Sequence, residues 1–200
     1  MNNKLNSKDF ILTGALTALM WIICMIIGGV MQMISPITNV FYPTVVSIVN
    51  GIVMMLLLSK TPKKGVLTIC GILQGTLYLL FGALWLLPVC IILGGIGADL
   101  IFMSKKNITK KHLMGAFGFF SGMLALGAVG PVFFLRDAFV ELMSKNNLPA
   151  EYIDGLVSLV SAPMLIVVVL AAVIGGVVGS LLGQAVLKKH FIKAGLVSAE

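Results

Sequence analysis

Apolar residues in this chain gather into blocks near the length of a bilayer crossing, separated by short polar connectors. The blocks cover about 10–34, 38–59, 65–87, 88–104, 113–135 and 163–187. A helix rises about 1.5 Å per residue, so ~20 residues cross ~30 Å of hydrocarbon, and a helix apolar all round meets lipid or protein rather than water. The pattern predicts an all-α membrane protein of six transmembrane helices, a single membrane domain over residues 1–200.

The connectors support this division. Pro36 disfavours a helical residue before it, so the first span stops at Ser35-Pro36, and Lys60, Pro62, Lys63 and Lys64 close the second. Only Pro88 separates the third span from the fourth, which predicts a tight hairpin there. Lys105, Lys106, Lys110, Lys111 and His112 stand before the fifth. The longer connector, 136–161, mixes Asp137, Glu141, Lys145, Glu151 and Asp154 with two apolar groups, Phe139, Val140, Leu142 and Met143, then Tyr152, Ile153, Leu156 and Val157. Such mixing predicts short amphipathic helices at an interface.

Composition agrees: 59% of the 200 residues are apolar and 10% charged, with a mean hydropathy of +1.10. A net charge of +7 raises nucleic acid as a partner, but the lysines sit in connectors without an interleaved aromatic stripe, so no nucleic-acid binding is expected. Of the 14 Lys and Arg residues, 2 (Arg136 and Lys145) fall on one side of the six spans and the other 12 on the opposite side. By the positive-inside rule both ends and the 60–64 and 105–112 loops face the cytoplasm, and the 136–161 loop faces outward. Cys24, Cys70 and Cys90 lie in apolar blocks without metal-ligand spacing, so they are read as packing residues and no metal or cofactor is expected. Lys4 and Lys8 precede a first block with no small-residue cleavage site at its end, which predicts a retained helix. No Gly-x-x-x-x-Gly-Lys-Ser/Thr element for ATP occurs, and no reactive cluster suggests an intramembrane enzyme.

Small residues recur one helical turn apart at Gly14 and Ala18, at Gly118 and Gly122, and at Gly175, Gly179 and Gly183. Such pairs let helices approach closely, within one chain or between chains. With its six spans, both ends inside, basic N-terminus and small-x-x-x-small motif on the first helix, the whole chain resembles the S component of energy-coupling factor (ECF) transporters, especially the Trep_Strep group. The resemblance implies an ECF S-component-like bundle in the plasma membrane of a prokaryote. It further implies a substrate-capture subunit that binds a small micronutrient or related metabolite outside and works with a scaffold transmembrane subunit and two cytoplasmic ATPases. In that family the first-helix motif is typically Ala-x-x-x-Ala and meets the scaffold; here Gly14-x-x-x-Ala18 keeps the smallness and is carried over as the partner contact.

The resemblance also implies an outward pocket, for which Arg136, Asp137, Glu141, Tyr78, Trp85, Gln32, Asn39, Tyr42 and Gln74 are the polar and aromatic candidates. Arg136 would pair with a substrate carboxylate or phosphate, or else snorkel to the interface or pair with an acidic residue. Trp85 and Tyr78 would stack on a flat substrate, or else Trp85 would anchor the interface. Asp99, the acidic residue inside an apolar block, is expected either to couple or gate, or to partner a helix terminus, a polar residue or an inner-loop Lys. An autonomous ion-coupled carrier or channel is the competing reading, with Asn50, Gln74 and Asp99 as its sparse polar groups.

Overall fold

A computed structural model of the protein describes residues 5–103 and 110–188. Lys4, Lys105, Lys106, Lys189, His190 and Lys193, part of the charge pattern above, lie outside the described residues. The chain forms α1 (Ser7–Ile34), α2 (Pro36–Lys60), α3 (Val66–Leu80), α4 (Leu86–Phe102), α5 (Lys110–Phe134), α6 (Arg136–Lys145), α7 (Ala150–Leu159) and α8 (Ala162–Val186). Of these, α1, α2, α5 and α8 are long and apolar enough to cross a membrane. The 15-residue α3 and 17-residue α4 are shorter apolar helices, reaching roughly 22 and 26 Å at about 1.5 Å per residue.

Local chemistry sets most boundaries. Asn6 and Asp9 form a reciprocal capping box at the start of α1, and Ser35 and Thr38 do the same for α2, with Pro36 in the first turn where its missing N–H costs nothing. The α3–α4 connection differs from the sequence expectation. The third block runs to 87, but α3 ends at Leu80, because Gly82 adopts a left-handed conformation with φ 79°. Its N–H donates to the Leu79 carbonyl and that of Ala83 to the Tyr78 carbonyl, which satisfies the helix's last acceptors. Pro88, expected at the break, sits inside the first turn of α4. Proline is tolerated there because the N–H groups of a first turn have no carbonyl within the helix to reach.

The six longer helices close a ring in the order α1, α2, α8, α5, α4, α3, with α3 returning to α1 and α2 touching α5 across the middle. Glycines make the closest seams. Gly51 of α2 meets Gly179 of α8 backbone to backbone, and a Cβ on Gly179 would lie 2.6 Å from the Ser47 and Ile48 carbonyl oxygens. Gly71 of α3 and Gly95 of α4 are matched in the same way, a Cβ on either lying 2.9 Å from the other's Cα. Apolar side chains such as Ile26, Leu100, Leu170 and Ile174 point outward, whereas Ser47, Asn50, Gln74, Asp99, Ser121 and Ser180 are buried. An apolar exterior around a polar-flecked interior suits a lipid solvent.

The 136–161 connector folds into α6 and α7, as its amphipathic pattern predicts. Phe139, Leu156 and Val160 pack on Val40, Val129, Val132 and Leu165, covering one end of α2, α5 and α8. The turn between them uses Asn147 at φ 59°, a conformation asparagine tolerates better than most residues.

Candidate functional site

The centre of the ring holds a polar cluster built from four helices. Asn50 of α2, 6% exposed, donates from Nδ2 to the Met20 carbonyl of α1 at 3.0 Å. Ser47, one turn earlier, donates to the Pro43 carbonyl at 2.6 Å, an acceptor near the kink-prone proline inside α2. Gln74 of α3 reaches the Cys70 thiol, and the Tyr78 hydroxyl reaches the Cys24 thiol of α1. Ser121 of α5 lies against Gly176 of α8, where a Cβ would leave it no room. Asn50, Ser47, Gln74, Ser121 and Cys24 line one cavity of about 10 Å³, with Met20, Phe117 and Phe120 among its apolar walls.

Toward the α6–α7 end an aromatic layer overlies this cluster. The Trp21 ring meets Phe81 at 4.6 Å and Tyr78 edge-on at 6.3 Å between centroids. Tyr42 is half-buried with its ring 3.5 Å from where a Gly28 Cβ would stand.

The structure therefore brings Gln74 and Tyr78 into the interior, packs Tyr42 against the same core, and leaves the other candidates apart from them. Arg136, Asp137 and Glu141 are exposed on α6, and Trp85 is exposed on the α3–α4 turn. Glu141 pairs with Lys145 at 2.6 Å, and the ammonium holds that carboxyl below its usual range. Gln32 is half-buried near the end of α1. Asn39 faces Tyr152 of α7, opposing the burial that pushes the Tyr152 phenol up. Asn50, Ser47 and Ser121 were not among the pocket candidates. Their signal in the sequence was a polar side chain in mid-block, which marks an interior-facing position in a membrane helix.

Asp99 lies against the opposite end of α3, where the Thr68 hydroxyl donates to its Oδ2 at 2.9 Å. The Gly65 and Thr68 backbone amides and the Lys64 ammonium face the same carboxylate. Thr68 is thus its hydrogen-bonded polar partner, while Asp99 Oδ1 is buried with no partner among the described residues. Nearby, Lys63 bridges to Asp9 of α1 at 2.6 Å.

The small-residue pairs separate into two kinds. Gly118 and Gly122 pack on Val173 of α8, and Gly175, Gly179 and Gly183 pack on α2. Around Gly14, by contrast, a Cβ would find no atom within 4 Å, and Ala15 and Ala18 are exposed. Among the described residues, no group of three or more His, Cys, Asp or Glu side chains gathers to hold a metal ion.

A family model described as "hypothetical bacterial integral membrane protein (Trep_Strep)" matches residues 7–193. No curated protein and no solved structure matches the chain.

Proposed function

We propose, for a chain that belongs to the Trep_Strep family of bacterial integral membrane proteins, that it is the substrate-capture subunit of an ECF-type importer in the cell membrane. In this reading all six helices of the ring span the bilayer, with both ends in the cytoplasm and α6–α7 outside. The subunit binds a small micronutrient or related metabolite outside and delivers it with a scaffold transmembrane subunit. ATP is hydrolysed by two cytoplasmic ATPases, not by this chain.

The observation that carries the reading is the α1 face at Gly14 and Ala18. Small-x-x-x-small surfaces elsewhere in the bundle are filled by neighbouring helices, but this one is open along a helix that otherwise presents bulky apolar side chains such as Ile11, Leu19 and Ile22 to its surroundings. A smooth track of that kind admits another helix at close range.

The test is co-purification. Membranes expressing the tagged chain with its genomic scaffold and ATPase partners should yield a complex, and Gly14→Leu or Ala18→Leu should lose it while the isolated subunit keeps its melting temperature. A wild-type chain that purifies without partners, yet supports uptake driven by an ion gradient alone, would establish the autonomous carrier instead. The mid-depth cluster of Asn50, Gln74 and Ser121 is the feature that favours that second reading.

A further inference from the structure

We propose that the cavity at the centre of the bundle is a hydration site holding one water molecule, which donates to Asn50 Oδ1 and exchanges a hydrogen bond with the Ser121 hydroxyl. Asn50 and Ser121 come from different helices and are 6% and 1% exposed. Their Oδ1 and Oγ atoms have no partner among the described residues, and both residues line the cavity. Its volume is about 10 Å³, near the roughly 10–15 Å³ that admits a single water.

The neighbouring groups are already engaged. Ser47 donates to Pro43, the Asn50 amide nitrogen to Met20, and the Gln74 amide to Cys70. Among the fully buried side-chain oxygens and nitrogens of the lining, those without a partner are one acceptor, Asn50 Oδ1, and one hydroxyl able to give or take, that of Ser121. A water satisfies both, whereas an empty space would leave two polar groups desolvated and unpaired. An apolar cavity of this size stays dry, and these two groups are what make this one polar. No carboxylate lines it, so nothing there balances a bare cation. The site is independent of substrate capture: it would exist in a carrier of any kind.

X-ray radiolytic labelling of the full chain in lipid nanodiscs tests the proposal, because hydroxyl radicals born at a bound water oxidise the side chains beside it. Met20, 1% exposed, lines the cavity, while Met54 and Met55, 0% exposed, do not, and they serve as internal controls of the same chemistry. Met20 should oxidise several-fold faster than Met54 or Met55. That excess should vanish in an Asn50→Leu/Ser121→Ala double variant and fall part-way in Ser121→Ala, whose smaller change keeps the Asn50–Met20 bond. Met20 oxidation no faster than the controls would show a dry cavity, and an excess unchanged in both variants would place the water elsewhere. A melting temperature raised by sodium or potassium in the wild type but not in Ser121→Ala would make the occupant a cation and likewise overturn the proposal.

Discussion

The Thr68 hydroxyl of α3 donates to Asp99 Oδ2 of α4 at 2.9 Å, which ties two short helices together where Gly65 starts α3 in a left-handed conformation, φ 94°. Asp99→Ala removes the acceptor and leaves Thr68 and the α3 amino end without their partner, a loss of about 1–3 kcal/mol. Asp99→Asn keeps an oxygen for Thr68 and should lose less. Thermal denaturation in detergent reads both. Ligand binding by Asp99→Asn at wild-type affinity would agree with the structural role, and loss of binding in a variant of normal stability would indicate a coupling role.

Glycines of identical spacing should respond in opposite ways. A methyl group on Gly179 meets the Ser47 and Ile48 carbonyl oxygens at 2.6 Å, so Gly179→Ala should cost about 1–3 kcal/mol through overpacking. At Gly14 the same methyl group meets nothing within 4 Å, and Gly14→Ala should stabilise α1 by up to about 1 kcal/mol through helix propensity. Melting temperatures of the two variants check the contrast, and equal destabilisation would mean that the α1 face is packed internally.

The proposed orientation rests on charge. With 12 of 14 basic residues assigned to one side, a cysteine placed at exposed Lys64 should react with membrane-impermeant maleimide only after the cells are opened. Ser144→Cys, on exposed α6, should react in intact cells. The reverse labelling would invert the proposed topology.

Arg136 begins α6 at the exposed end of the bundle, and the ion pairs among the described residues are Lys63 with Asp9 and Lys145 with Glu141. If it holds an anionic part of the substrate, Arg136→Ala should weaken binding about ten- to a hundredfold, since a charge-assisted hydrogen bond contributes roughly 1.5–3 kcal/mol and a factor of ten is about 1.4. Arg136→Lys should recover only part, lacking the planar fork. Calorimetric titration with the ligand released from purified protein measures both, and unchanged affinity in the alanine variant would leave Arg136 an interface anchor.

The sequence by itself determined the solvent and the helices. Blocks of apolar residues near twenty long exclude water from their surroundings, Ser35-Pro36 separated α1 from α2, and the mixed pattern of 136–161 specified two amphipathic helices, because each of these is a local property read along the chain. Local reading failed at Gly82 and Pro88, where both residues are punctuation and only the backbone conformation shows that glycine ends α3 while proline begins α4.

Tertiary structure alone decided which neighbour each face meets. The motifs at Gly14, Gly118 and Gly175 look alike in sequence, yet one faces outward and two are seams, because helix order around the ring is set by long-range packing. For the same reason Gln74 converges with Asn50 and Ser121, and Tyr78 reaches Cys24 beside them, while Arg136, Asp137 and Trp85 remain exposed. A polar residue in an apolar block announces that it faces inward, but the groups it finds there belong to helices distant in the chain.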